Sequence, residues 1–183
     1  MESFYAHTKD LVDAIEDCAA KMQILPCLTL LYSGMDVMAS LDLRASENNR
    51  DSFVRWVDAY LLKDSPIECS ALDLYAARCG VVHTFTADSR LYQEGRAKKI
   101  AYAWGLGSVN NLRRVSDELG YQDWRTVHIG DLVVAFKHGV ANHLDHIEND
   151  VASKERFLRA SGLWFSNLNG DDLTDYLKEI DAK

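Results

Sequence analysis

Arg78 and His83 stand in the segment Ala71-Leu-Asp-Leu-Tyr-Ala-Ala-Arg-Cys-Gly-Val-Val-His-Thr84, which is otherwise too apolar to face water. A guanidinium keeps its charge in a protein, so burying one without an acceptor is costly. Either a carboxylate of the chain or a phosphate of a substrate must therefore lie opposite Arg78. His83 adds a group that gains or loses a proton near neutral pH. Together the two residue types fit phosphoryl chemistry without metal, the arginine fork gripping phosphate oxygens while the imidazole moves protons.

Other residues bear on that chemistry. Ser33 and Asp36 interrupt an otherwise apolar stretch, and an internal carboxylate is usually paired, here with Arg78 or Arg55. Downstream, Arg90, Arg96, Lys98 and Lys99 outnumber Asp88 and Glu94 by two charges. This segment offers a grip for an RNA backbone, with Tyr92 for stacking, or else simply a solvated loop. His138, His143 and His146 invite a metal reading, but no ligand set completes them, and an exposed polar helix face is the expectation. Gly105-Leu-Gly107 is too short for a nucleotide-binding fingerprint and reads as a turn. Cys18, Cys27, Cys69 and Cys79 have no zinc-site spacing and read as reduced core residues. No metal or cofactor is implied.

The elements that must position these residues are mostly helices. The chain has 183 residues, 48% of them apolar, and only two prolines, Pro26 and Pro66, which favours long helices over many short strands. Apolar positions predict a helix over about 3–23, and another from Pro26 to about Leu41 that is nearly apolar all round and hence central. Asp51 or Ser52 is placed to cap a third helix carrying Phe53, Trp56, Val57, Tyr60 and Leu61. Pro66 is placed to open a fourth, carrying Leu72, Tyr75, Ala76 and Cys79. After a polar stretch, 99–104 and 124–129 read as strands of a hairpin, separated by a helix capped by Ser108 and ended at Gly120. Asp131 is placed to cap a helix to about Asp150, followed by helices over 154–168 and from Asp172 onward. The fold expected is mainly α: an antiparallel helical bundle over 1–85, then a helical C-terminal part over 86–183 with a small two-stranded β element, packed on the same core.

The formal net charge of −8 argues against a general nucleic-acid coat, though not against an enzyme with a local basic site. No secretory signal and no membrane span is read, and a cytoplasmic location is expected. Arg78 and His83 are separated by about 140° around an ideal helix axis, so a kink or helix end near Gly80 is expected to bring them together. The plain alternative pairs Arg78 with a buried acid and leaves His83 capping the helix C-terminus.

The Arg-x4-His arrangement near the end of a late helix, with Tyr75-Ala-Ala-Arg78-Cys-Gly-Val-Val-His83-Thr around it, resembles the motif of the HEPN superfamily in an uncharacterised bacterial branch, over roughly residues 3–85. The resemblance implies a metal-independent endoribonuclease with Arg78 and His83 as catalytic residues, or an inactive relative serving as an interaction or scaffold protein. It further implies a homodimer that brings two Arg–His pairs together, RNA as substrate, and a cognate antitoxin in a toxin or defence system. Two positions depart from the family pattern: Cys79 follows the arginine where active members often carry Asn or Asp, and Phe85 stands where one branch has a modifiable tyrosine.

Overall fold

The computed structural model describes residues 2–162 and 170–181, which are mainly helical with one small sheet. At the centre lies α2 (Ile24–Ser40), packed against α1 (Glu2–Ala20), α3 (Asn49–Trp56), α4 (Ala71–Thr84) and α7 (Ile129–Asn149). Its apolar circumference explains this position, because a helix without a polar face is stable only when enclosed. Leu31, Tyr32, Met35 and Met38 have no exposed surface. Burying each such side chain contributes about 1.5–3 kcal/mol. Residues from Phe4 in α1 to Phe157 in α8 (Val151–Ser161) belong to one buried core, and those two rings meet edge to face at 4.9 Å.

Local hydrogen bonding decides where the helices begin. The start of α3 is set by Asn48, not by Asp51 or Ser52: its side-chain carbonyl accepts the Asp51 N–H at 3.1 Å. Pro66 does not open α4. Ser70 does, through a reciprocal box in which its hydroxyl accepts the Asp73 N–H and the Asp73 carboxylate accepts the Ser70 N–H. That box satisfies two orphan donors at once, whereas a proline merely lacks one. His128, not Asp131, caps α7, its Nδ1 accepting the Gly130 N–H at 3.0 Å. Asp131 sits in the first turn, where its charge favours the helix dipole.

Strand β1 (Ile100–Ala103) pairs with β2 (Arg125–His128) in parallel, Ile100 opposite Arg125 and Ala103 opposite His128, so the expected hairpin is corrected. Helix α6 (Val109–Glu118) returns the chain to the end where β1 began, as a parallel pair requires. It is capped by Ser108 and followed by Gly120 at φ +82°, both as the sequence predicts. Between α4 and β1 lies a single helical turn, α5 (Arg90–Gln93). α8 closes at Ser161, and the part of its expected span over 163–168 lies outside the described residues. α9 runs Gly170–Asp181. No described helix is long and apolar enough to cross a membrane.

Candidate functional site

Arg78 joins two elements. From α4 its Nε and Nη2 donate to one oxygen of Asp36 on α2, at 2.7 and 2.6 Å. Its Nη1 lies 2.8 Å from His83 Nε2. A guanidinium only donates, so His83 Nε2 accepts and the neutral ring carries its proton on Nδ1. The result is a chain from a sheltered carboxylate through a guanidinium to an exposed imidazole. Burial pushes the Asp36 carboxyl up from its ordinary range, and Arg78 works against that push. The Cys79 side chain, next in sequence, is a further hydrogen-bond partner of the guanidinium. Ser33, one turn before Asp36 on α2, is half-buried.

The kink expected at Gly80 is absent: α4 continues through it to Thr84. The length of the arginine spans the angular gap instead. Gly80 has another reason to be glycine, since a Cβ there would lie 2.3 Å from the Thr86 carbonyl oxygen and 2.9 Å from that of Asp88. The chain beyond the helix turns back over this bare surface. Phe85 takes the left-handed conformation, and the Gly80 carbonyl accepts the N–H groups of Phe85 and Thr86. The turn that ends α4 directly after His83 is thus packed onto the residue midway between His83 and Arg78.

Tyr75, Cys79 and His83 recur every four residues and share one helix stripe. The first two line a groove of about 720 Å³ with Asn48, Asn49, Arg50 and Arg90. Sequence reasoning overlooked the asparagines and Arg50, although the four-residue spacing of the stripe was a legible signal.

The five residues expected to bind substrate do not gather around Arg78. Arg90 borders the groove but pairs with Glu94 at 2.6 Å, and Arg96 meets the same carboxylate at 3.3 Å. Lys98 pairs with Asp123, and Lys99 with Asp88 at 3.6 Å. The Lys99 ammonium also lies 4.2 Å from the centre of the Tyr92 ring, occupying a face expected to stack on a base. Arg55, the other candidate partner for Asp36, turns to Glu47 and to Asp42, a carboxylate only 1% exposed that Arg156 also contacts.

The histidine cluster departs most from expectation. His143 is fully buried rather than exposed; its Nδ1 accepts the Trp56 N–H at 3.0 Å, and Tyr60 packs against the ring at 4.7 Å. Burial pushes its pKa down to about 4, so the ring is neutral. Its Nε2 has no hydrogen-bond partner among the described residues. No group of three potential metal ligands occurs among the described residues. Burial raises the Cys27 thiol to about 11 and that of Cys69 to about 12, which makes both poor nucleophiles. Comparison with protein-family models, curated proteins and solved structures finds no match to this chain.

Proposed function

We propose that the protein is a metal-independent endoribonuclease of HEPN type, acting as a homodimer. The observation that carries this reading is the Asp36–Arg78–His83 chain, which ends on an exposed imidazole four residues after Cys79, a residue that lines the groove. At rest, Arg78 occupies the lone pair of His83 Nε2. An arriving phosphate offers the guanidinium a charged acceptor, which competes well with a neutral ring nitrogen. Once released, Nε2 takes the proton of the ribose 2′-OH, the 2′-oxygen attacks phosphorus, and the bond to the 5′-oxygen breaks. That leaving oxygen takes a proton from His83 of the partner subunit, in its protonated form. One histidine per chain supplies one proton-transfer role at a time, which is the physical case for a two-fold dimer with facing pairs. Asp36 positions Arg78, and Arg90, which borders the groove, contacts the RNA backbone. The same reading takes α1–α4 as an antiparallel bundle, the protein as cytoplasmic, and a cognate antitoxin as its partner.

A second reading, a non-catalytic HEPN-like scaffold, is favoured by one observation: Arg78 and each of the four cations over 90–99 already have a carboxylate partner. One experiment separates the two. Purified protein is incubated with a mixed RNA pool in EDTA, beside Arg78→Ala and His83→Ala. The enzyme leaves 2′,3′-cyclic phosphate ends and loses roughly 10²-fold or more in rate without His83. No cleavage by the wild type on any RNA sinks the enzyme reading and leaves the scaffold.

A further inference from the structure

A second basin, separate from the Arg78 groove, opens where the start of α4, the approach to β1, the later part of α6 and the start of β2 meet. Its volume is about 820 Å³, within the usual range for small-molecule sites. Four cations line it: Arg96, Lys98, Arg113 and Arg125. Each faces a carboxylate, but their side chains are 39–50% exposed, and the Arg125–Asp73 separation is 4.0 Å. Exposed pairs of this kind contribute little, so an incoming oxyanion can replace the carboxylates without a large loss.

The basin is held in shape from beneath. Asp73, 4% exposed, accepts the Ser70 N–H at 2.9 Å and the Lys98 N–H at 2.6 Å, tying the start of α4 to the chain entering β1. Its charge is therefore already committed to the protein's own donors. Trp124 forms part of the wall; Tyr121 stacks on its ring at 4.6 Å and 23°, and the Lys99 ammonium lies 5.7 Å from the ring centre. Thr126, 4% exposed, also borders the basin, and its hydroxyl has no hydrogen-bond partner among the described residues. A buried hydroxyl without a partner is uncommon and points to an acceptor or donor arriving from elsewhere. The Asp117 carboxylate lines the basin too and, among the described residues, forms no ion pair.

We infer that this basin binds a mononucleotide, its phosphate held by Arg113 and Arg125 with Arg96 and Lys98 nearby. Trp124 supplies an aromatic contact for the base as the Lys99 ammonium, 5.7 Å from its ring centre, gives way, and Asp117 an acceptor for ribose hydroxyls. Cations, an aromatic wall and a free carboxylate in one preformed cavity match the three parts of that ligand better than they match a bare anion. Two residues first assigned to gripping RNA, Arg96 and Lys98, thereby gain a role independent of the Arg78–His83 chemistry.

The test is calorimetric titration of the full chain with AMP, GMP, CMP and UMP, beside the corresponding nucleosides and inorganic phosphate. At least one nucleotide binds saturably at submillimolar concentration, and its nucleoside and inorganic phosphate each bind at least about tenfold more weakly. Arg113→Ala with Arg125→Ala, and separately Trp124→Leu, each weaken binding about tenfold or more while the unfolding midpoint stays near that of the wild type. No saturation by any nucleotide at about 10 mM, equal binding of inorganic phosphate, or binding undiminished in both variants would overturn the inference.

Discussion

His83 and His143 are the same residue in opposite settings. His143 is enclosed by Trp56 and Tyr60, its Nδ1 spent on the indole N–H and its pKa driven down to about 4. His83 lies exposed in the last turn of α4, its Nε2 held by a guanidinium. One imidazole has been made a shape with a single acceptor. The other keeps access to water, a cation and a groove. The difference shows why a histidine's residue type says little about chemistry until its neighbours through space are known.

Removing the two rings separates those roles. His143→Ala leaves a cavity and an unpaired Trp56 N–H, and is expected to lower unfolding free energy by about 3–5 kcal/mol in urea titration. His83→Ala is expected to leave stability within about 0.5 kcal/mol, since the site is exposed, while abolishing cleavage on the scale given above. The contrast breaks if His83→Ala unfolds the protein or His143→Ala leaves it intact.

Acid sharpens the same comparison. The pKa of His143 rises from about 4 in the folded state to its ordinary 6.5 on unfolding. Between those values the unfolded chain binds the extra proton, so stability is fully present above pH 6.5 and is lost as pH falls toward 4. The loss attributable to this group approaches about 3 kcal/mol. His143→Phe cannot titrate, so its unfolding free energy should fall less steeply over that window than that of the wild type. Parallel pH profiles would show that burial of this ring is not what shapes the acid limb.

Gly80→Ala addresses the other half of the comparison, the turn behind His83. Alanine favours helix by about 1 kcal/mol over glycine, but its Cβ would collide with two backbone oxygens. The net expectation is a destabilisation of about 1–3 kcal/mol. Cleavage is also expected to fall, because the turn that ends α4 after His83 must shift. A stabilised Gly80→Ala would show that the turn moves freely.

The smallest stability effect is expected at Arg90. Its side chain is 89% exposed, so Arg90→Ala should change stability by less than about 0.5 kcal/mol. RNA affinity should nevertheless fall and become less sensitive to salt, as follows from losing one phosphate contact. An unchanged salt slope would remove Arg90 from the RNA path.

Much of the helical framework was legible before any coordinates, because its signals act within a turn or two. The all-apolar run around Leu28, Leu31 and Met35 announces a central helix. Ser108 and Gly120 mark the ends of α6 by hydrogen bonding and backbone freedom at their own positions. Arg78 and His83 were likewise legible as a pair, though through a kink at Gly80 that α4 does not make; the arginine's own length closes the gap. Asp36 had two candidate partners, Arg78 and Arg55, until α2 and α4 were packed together and it met the guanidinium 42 positions later. Sequence spacing could not give the direction of β2 against β1, which depends on where α6 returns the chain. Nor could it show that His143 is sealed behind Trp56, 87 positions away, while its helix neighbour His138 stays in solvent. Caps and periodicity arise from neighbours along the chain, which their order specifies directly. Ion pairs, strand direction and burial arise from surfaces that meet only when distant segments have packed.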